Sequence, residues 1–184
     1  MKLYMIISIE EVLKKEFITN RDYANGLGLV EPEGAAIDVR VGEIWKMIPS
    51  TRAFLKKDTR QTRQYIKMET FTPDEDRVFV LKPKSFYQFR TVELLAVPKN
   101  LMVRFNPRYN LGVNGIQVFQ AKADPGYSGT FGVPVVNLSG VPFEIELGAR
   151  FGQFEFHTIK GKTYSYRGQW QGGRLFTDEE EVQV

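Results

Sequence analysis

The feature that most constrains the fold is a series of short apolar segments separated by turn-forming residues, which runs through most of the 184-residue chain. The segments follow one another at intervals of roughly 8 to 12 residues, with Pro, Gly, Asn or Asp between them. Near the start of the series Ile37, Val39 and Val41 alternate with Asp38 and Arg40, which is the period-two pattern of a strand. The pattern predicts an all-β fold, either a β-barrel or a jelly-roll-like sandwich.

One short helix is expected before the strands. Ser8 precedes Glu10 and Glu11, and two lysines follow, so acids come early and bases late, as in a helix. We predict a helix over about residues 8–16. Residues 50–76 are polar and charged and fit either a long excursion or a peripheral hairpin. No repeat is visible, so we predict one domain over residues 1–184, with a flexible C-terminal lid over about 161–184.

The composition excludes several classes of function. The chain has no cysteine, which rules out disulfides, thiolate zinc sites and a cysteine nucleophile, and its single histidine, His157, rules out a two-histidine metal site. No apolar run approaches the roughly 20 residues of a membrane span, so we predict a cytoplasmic protein with no membrane partner. The net charge of +3 is small, but basic residues concentrate in 56–67 and 150–174, which favours anions such as phosphates.

Three segments are candidates for chemistry. The first, residues 124–129, combines Asp, Pro, Gly and Tyr, and is either a plain turn or a rigid mount for the Asp124 carboxylate beside an aromatic platform. Arg108 and Asn110 lie in a predicted polar loop, which is either an ordinary turn or an anion cradle. Residues 164–176 hold aromatic side chains with Arg167 and Arg174, and are either a flexible tail or a lid that grips phosphates.

Taken in order, these motifs resemble the superfamily of trimeric dUTPases and dCTP deaminases. The resemblance covers roughly residues 34–172 and follows the order and spacing of the family's motifs. It is carried by the segment 34–42, by Leu81-Lys82-Pro83, by Thr91-Val92-Glu93 and Pro98, by Pro107-Arg108, by the segment 123–129, by Asn137 and by the segment 148–154.

The resemblance implies a homotrimer of distorted, jelly-roll-like β-barrels. Its sites would lie between subunits and bind a deoxypyrimidine nucleotide rather than nucleic acid, with Mg²⁺ arriving on the triphosphate. It implies that the segment 123–129 reads the pyrimidine through main-chain groups, and that Asp124 activates a water that attacks the α-phosphate. The nucleoside-binding residues would be Ala123, Gly126 and Tyr127, whose ring packs under the deoxyribose. The phosphate-binding residues would be Arg108, Asn110, Gln153, Arg167 and Arg174. We predict no metal ligands in the protein itself.

Two departures from the family pattern shape the functional expectation. The deaminases carry a catalytic Glu ten residues beyond the turn Asp, and this chain has Pro134 there, which cannot transfer protons. In the phosphate-binding motif, Tyr109 and Val113 replace the family's Ser and second Arg. We therefore expect a dUTPase-like hydrolase that forms dUMP and pyrophosphate. A non-catalytic binder of a nucleotide or partner, and a deaminase with a relocated carboxylate, are the alternatives.

Overall fold

The computed structural model describes residues 6–20 and 27–183, so residues 1–5, 21–26 and 184 of the predicted domain lie outside the described part. Within that part the chain is mostly β, which confirms the predicted fold class, and it has two short helices. The helices are α1 (Ile9–Lys14) and α2 (Tyr109–Val113). The strands are β1 (Ile18–Asn20), β2 (Ile37–Met47), β3 (Phe54–Leu55), β4 (Thr59–Gln61), β5 (Tyr65–Thr70), β6 (Val78–Leu81), β7 (Phe86–Ala96), β8 (Leu101–Pro107), β9 (Ile116–Val118), β10 (Ala121–Ala123), β11 (Ser128–Asn137), β12 (Phe143–Glu146), β13 (Arg150–Thr158) and β14 (Glu181–Val182).

One large curled sheet forms a half-barrel. Its strand order is β10-β8-β13-β2-β7-β11-β9, with β1 paired to β7 and β5 paired to β2. All of its pairings are antiparallel. Two small sheets complete the described architecture, β12-β6 and β14-β4-β3. Because β10 and β11 lie near opposite ends of the large sheet, the turn between them draws those ends together.

The bend of the large sheet comes from irregularities in its pairing. The register of β2 against β7 shifts between Val41 and Glu43, and a β-bulge of this kind bends the strand and increases its twist. Gly42 lies at the shift, and a Cβ there would come within 2.7 Å of the Thr91 carbonyl oxygen. Only glycine therefore allows β2 and β7 to approach this closely at the bend.

The core is largely aromatic. Phe105 packs against Phe151 with ring centroids 5.4 Å apart, and Phe131 packs edge-on against Phe154 at the same separation. Phe89 contacts Phe151 from the β7 side at 5.5 Å. Large buried rings contribute much of the apolar area that stabilises a domain of this size.

Both faces of β2 are buried, so its polar residues require partners inside the protein. Arg40 donates from its backbone N–H and from Nε to the two carboxylate oxygens of Glu93, at 2.9 and 2.7 Å. Its Nη2 donates to the Asn20 side chain at 2.9 Å and to the Gly28 carbonyl. Burial raises the pKa of the Glu93 carboxyl, and the Arg40 contacts oppose that shift. The pair anchors the N-terminal segment to the sheet.

Local sequence signals account for most element boundaries. The predicted helix at 8–16 is present as α1, where the Ser8 hydroxyl accepts a hydrogen bond from the Glu11 N–H at 3.3 Å. The polar stretch 50–76 contains the short hairpin β3-β4 followed by β5, so it combines both expected forms. Within residues 6–20 and 27–183, neither helix has the length and apolar character needed to cross a bilayer.

Candidate functional site

The predicted turn at Asp124 is present and has a defined geometry. The Tyr127 N–H donates to the Asp124 carbonyl at 3.0 Å, and Gly126 has φ of +83°, which together with Pro125 gives a type II turn. Two further bonds link the turn to the end of β7, from the Gly126 N–H to the Val97 carbonyl and back from the Val97 N–H to Tyr127. The Asp124 turn, residues 124–129, is therefore held rigidly although β10 and β11 are not neighbours.

A pocket of about 400 Å³ opens beside this turn. Three parts of the chain form it, namely the turn with its flanking strands, the 62–65 region and the C-terminal segment. Its cationic side chains are Arg63, Lys122 and Arg174, and among the described residues that line it Asp124 supplies the one carboxylate. Its remaining walls are mostly aromatic or apolar, formed by Tyr65, Ala123, Tyr127, Phe131, Pro134, Tyr166, Trp170 and Leu175.

Asp124 is accessible at the edge of this pocket. Its side chain is 38% exposed, and Oδ1 accepts a hydrogen bond from the Lys122 ammonium, whose side chain is 60% exposed. Exposed pairs of this kind contribute only about 0–1 kcal/mol, so a bound ligand or water can replace Lys122 at small cost. The carboxylate is thus fixed through the backbone and remains available for chemistry.

Tyr127 forms the inner wall of the pocket. The residue is 5% exposed, and its hydroxyl donates to the Thr130 carbonyl. Its ring meets Tyr166 edge-on at 5.6 Å and Phe131 at 6.1 Å. Burial raises the pKa of the Tyr127 phenol, and burial likewise raises the pKa of Tyr166, so both hydroxyls stay protonated at neutral pH.

Pro134, at the position where the resemblance expects a deaminase Glu, also lines this pocket. It lies on β11 opposite Gln88 of β7, and its carbonyl accepts from the Phe119 N–H at 3.1 Å. The described lining offers no second carboxylate near it. Among the described residues that line it, the pocket therefore has one carboxylate, beside the turn, and a proline on the β11 side.

Arg108 lies away from the pocket, in a group that we call the Asp38 cluster (Asp38, Arg108 and Arg150). The Asp38 side chain is 3% exposed, and its Oδ2 contacts both arginines. The contacting atoms are Nη1 of Arg108 and Nη1 of Arg150, the latter at 3.2 Å. Oδ1 of Asp38 is buried and has no hydrogen-bond partner among the described residues. The Arg108 side chain remains 28% exposed, so one part of its guanidinium faces outward while Nη1 is engaged.

The segment after Arg108 differs from the predicted polar loop, because residues 109–113 form α2. This helix has no side-chain N-cap bond, and its buried residue Leu111 attaches it to the core. Tyr109 is 81% exposed and does not line the pocket at Asp124. Asn110 is exposed on the same helix, and it lines a separate depression that also includes Arg108 and Arg150.

Most of the predicted site residues fall into two groups, and two of them, Gln153 and Arg167, belong to neither. Ala123, Asp124, Tyr127 and Arg174 line one pocket, with Gly126 in the turn beside them. Arg108 and Asn110 lie at the other depression. Gln153 lies on β13 opposite Asp38, and Arg167 is exposed outside the pocket lining.

The sequence did not point to the pocket wall from the 62–65 region, whereas it did single out the C-terminal segment, from which Tyr166, Trp170 and Arg174 line the pocket. The C-terminal segment is attached along its length, with Arg90 Nη2 donating to the Gly173 carbonyl at 2.6 Å and Gln88 Nε2 to Leu175 at 3.0 Å. Arg174 contacts Glu181 at 2.5 Å. A Gly-Gly pair was the available signal, because a Cβ on Gly173 would collide with Thr130. That this segment moves as a lid stays a prediction.

No group of three or more acidic or histidine side chains converges on one point within residues 6–20 and 27–183. The pocket offers Asp124 alone as a carboxylate oxygen donor. Mg²⁺ prefers six oxygen ligands and keeps several waters when it is bound through phosphates. The residues present thus fit an ion that takes most of its ligands from a triphosphate and from water.

Comparison with known proteins places the chain in a family. A family model described as dCTP deaminase-like matches residues 11–159. A probable deoxyuridine 5'-triphosphate nucleotidohydrolase of Methanopyrus kandleri is 30% identical over 136 residues, which cover 74% of this chain and 85% of that protein. A dUMP-forming dCTP deaminase of Methanobrevibacter smithii is 28% identical over 129 residues, 68% of this chain and 66% of that protein.

The fold comparison agrees. The 2'-deoxycytidine 5'-triphosphate deaminase of Agrobacterium tumefaciens superposes with a TM-score of 0.61 at 16% identity. The match covers 85% of this chain and 49% of that one, so this chain spans about half of that protein. The predicted resemblance is confirmed: the chain belongs to the dCTP deaminase-like family, within the superfamily that also contains the dUTPases.

Proposed function

We propose that the protein hydrolyses a deoxypyrimidine nucleoside triphosphate, with dUTP as the substrate and dUMP and pyrophosphate as the products. The observation that carries the proposal is the content of one pocket. Asp124 stands at its edge on a rigid turn, while Pro134 occupies the place where the resemblance expects a deaminase carboxylate. The site retains the group that hydrolysis needs and lacks the one that deamination needs.

The chemistry follows from the position of Asp124. Its carboxylate orients a water and takes its proton as the water oxygen attacks the α-phosphorus. The bond from the α-phosphorus to the bridging oxygen breaks, and pyrophosphate leaves. Lys122 and Arg174 line the same pocket and offset the charge that develops on the phosphates. Magnesium bound to the triphosphate would add further charge stabilisation.

The proposal includes a homotrimer with shared sites. In a single chain the Asp124 pocket and the depression at Arg108 have no lining residue in common. A site between copies would join the Asp124 pocket of one copy to Arg108, Asn110 and Gln153 of another. The proposed partner is thus a free deoxypyrimidine nucleotide, without direct nucleic-acid binding, and the proposed location is the cytoplasm, where such nucleotides are found.

A second candidate function, non-catalytic binding, is favoured by the Asp38 cluster. Arg108 is held by a buried carboxylate of its own chain, and Tyr109 replaces the expected serine. A protein with this arrangement would bind a nucleotide or a partner without efficient turnover. A deaminase that has moved its carboxylate is the third candidate, and the same experiment separates all three.

The test incubates purified protein with Mg²⁺ and either dUTP or dCTP, and it measures pyrophosphate, ammonia and the nucleotide product. We expect pyrophosphate and dUMP from dUTP. Nucleotide binding without pyrophosphate at high protein concentration would replace the proposal with the binding function. Ammonia from dCTP would replace it with deamination. Light scattering of the same sample gives the subunit number, and a monomer that is fully active would refute the shared site.

A further inference from the structure

The C-terminal segment crosses directly over the Asp124 turn and forms hydrogen bonds with its main-chain groups. The Tyr166 N–H donates to the Pro125 carbonyl at 2.6 Å, and the Gly172 N–H donates to the Ser128 carbonyl at 2.8 Å. The crossing is so close that a Cβ on Gly129 would lie 2.5 Å from the Gly172 Cα. The contact is therefore possible because both crossing residues, Gly129 and Gly172, are glycine.

Between these two bonds, the side chain of Gln171 lies on the turn. Its Oε1 accepts from the Ser128 N–H at 3.3 Å, and its Nε2 donates to the Gly126 carbonyl at 3.2 Å. The orientation of the carboxamide follows from its partners, since a main-chain N–H can only donate and a carbonyl can only accept. The turn thus presents one donor and one acceptor that together hold a planar amide.

The same pair of groups suits the amide edge of a pyrimidine ring. The ring carbonyl and adjacent N–H of uracil offer an acceptor beside a donor, as a carboxamide does. We propose that Gln171 is an internal competitor, which occupies the groups of the Asp124 turn that a pyrimidine base needs and leaves them when the base binds. This inference rests on the proposed function, because it assigns the base to this turn.

The exchange is possible because the Gln171 contacts are weak and exposed. Both are longer than the usual 2.9–3.0 Å of such bonds, and both lie at the surface. A base that forms the same two bonds leaves neither turn group unsatisfied. Gln171 would then face solvent, where its amide is hydrated.

The polar stretch 50–76, which we call the excursion, gives the C-terminal segment its second attachment. Thr62 and Thr177 exchange bonds between each N–H and the other hydroxyl, at 2.9 and 2.8 Å. Beyond them β14 pairs with β4, and the Gln183 N–H donates to the Asp58 carbonyl at 2.9 Å. The excursion is thus the platform that keeps Gln171 close to the turn when a ligand displaces it.

This attachment is not fully satisfied. Nε of Arg60, Oε1 of Gln169 and Oε2 of Glu181 are buried there without a hydrogen-bond partner among the described residues. Buried polar atoms without partners favour the state in which they regain water. These atoms belong to the attachment at the excursion rather than to the Gln171 contacts, so they weaken the platform without deciding the exchange on the turn.

The test measures the dissociation constant of the α,β-imido analogue of dUTP by calorimetry, so that it does not depend on turnover. Gln171→Met keeps the volume of the side chain and removes both bonds, and we expect the analogue to bind about 5- to 10-fold more tightly. Gln117→Met, on β9, removes a carboxamide that donates to the neighbouring Val118 carbonyl rather than to the Asp124 turn, so it is the matched control and should leave binding unchanged. Equal affinity of Gln171→Met and wild type would overturn the inference while nucleotide binding stands.

The nature of the displaced contact is tested with dUMP and its N3-methyl derivative. The methyl group replaces the N3 hydrogen, which would donate a hydrogen bond to the Gly126 carbonyl, so we expect the derivative to lose binding to Gln171→Met. Equal binding of dUMP and its derivative would overturn the assignment of the base to these groups. Absence of analogue binding in wild type and in Gln171→Met would refute nucleotide binding itself, and the inference with it. Binding by the variant alone would support internal competition. Thermal unfolding of each variant confirms that it folds.

Discussion

Asp124 and Asp38 are two carboxylates that meet basic side chains in different surroundings. Asp124 is 38% exposed and contacts Lys122, which is 60% exposed. Asp38 is 3% exposed, and both Arg108 and Arg150 meet one of its oxygens. The first pair stands on a tight turn at the edge of a pocket, and the second joins the start of β2 to the residues that follow β8 and begin β13.

The difference shows that exposure, rather than the presence of an ion pair, decides what a charged group can do. An exposed pair adds little stability and is readily replaced, so Asp124 can exchange Lys122 for a water or a ligand. A buried pair is costly to break, so Arg108 is committed to Asp38 in the single chain. The chain therefore leaves an accessible carboxylate at one region and binds its predicted phosphate-binding arginine internally at the other.

The largest expected effect is a loss of activity when the exposed carboxylate, Asp124, is replaced. Asp124→Asn keeps the shape of the side chain but removes the base, and we expect pyrophosphate release from dUTP to fall about 10²–10⁴-fold. Because the lost contact is an exposed pair, the free energy of unfolding should change by no more than about 1 kcal/mol. Initial rates and chemical denaturation of the same preparations measure the two quantities.

Asp76→Asn is the matched control for this substitution, since Asp76 is an exposed acid outside the pocket. Its activity should equal that of wild type. Full activity of Asp124→Asn would exclude Asp124 as the base. The exposed carboxylate would then differ from Asp38 in burial but not in function. Loss of assembly in Asp124→Asn would instead give the turn a structural role.

The second prediction concerns stability. Asp38→Asn leaves Arg108 and Arg150 without their buried carboxylate, and we expect the free energy of unfolding to fall by about 2–3 kcal/mol. The same change frees the Arg108 guanidinium, so the α,β-imido analogue of dUTP should bind more tightly to the folded variant. Urea denaturation measures the change in stability. Calorimetry at temperatures below the unfolding transition of the variant measures the change in binding.

Arg150→Ala distinguishes release of Arg108 from general loosening of the cluster. It weakens the cluster but leaves Asp38 on Arg108, so it should not tighten analogue binding. Weaker binding by Asp38→Asn would show that Asp38 orients Arg108 productively instead of withholding it. The second region would then be a prepared site, contrary to the comparison.

A smaller effect is expected from the exposed partner of Asp124. Lys122→Ala removes a pair whose contribution is about 0–1 kcal/mol, so the melting temperature should shift by only a few degrees. Loss of a cation from the pocket should nonetheless weaken analogue binding. A large fall in stability, measured against Lys84→Ala at another exposed lysine, would mean that the turn depends on this pair.

Sequence reasoning was effective where the signal is local. The Asp124 turn was predictable because Pro125 and Gly126 fix the backbone, and most strands were predictable because their apolar residues alternate. The Asp38 cluster was not, since Asp38 and Arg108 are 70 positions apart and nothing local in the sequence pairs Arg108, which was predicted to bind phosphate, with Asp38. The pocket wall from the 62–65 region was missed for the same reason: Thr62 and Thr177, which attach the C-terminal segment to the excursion, are 115 positions apart.

The smallest effect on stability is expected at Tyr109, the residue that follows Arg108. Tyr109 is 81% exposed at the start of α2, so Tyr109→Ser should change the free energy of unfolding by no more than about 0.5 kcal/mol. Its bulk stands beside Arg108, where the resemblance expects a small hydroxyl that contacts phosphate. The substitution should therefore tighten binding of the α,β-imido analogue without a stability cost.

Tyr164→Ser is the control, because Tyr164 is 78% exposed and lies outside both the pocket at Asp124 and the depression at Arg108. It separates removal of an exposed ring from removal of bulk at the phosphate position. Tighter binding by Tyr109→Ser alone places Arg108 in the path of the triphosphate despite its contact with Asp38. Unchanged binding means that the phosphates do not reach this region, and the Asp124 pocket must then bind the whole ligand with its own cations, Arg63, Lys122 and Arg174.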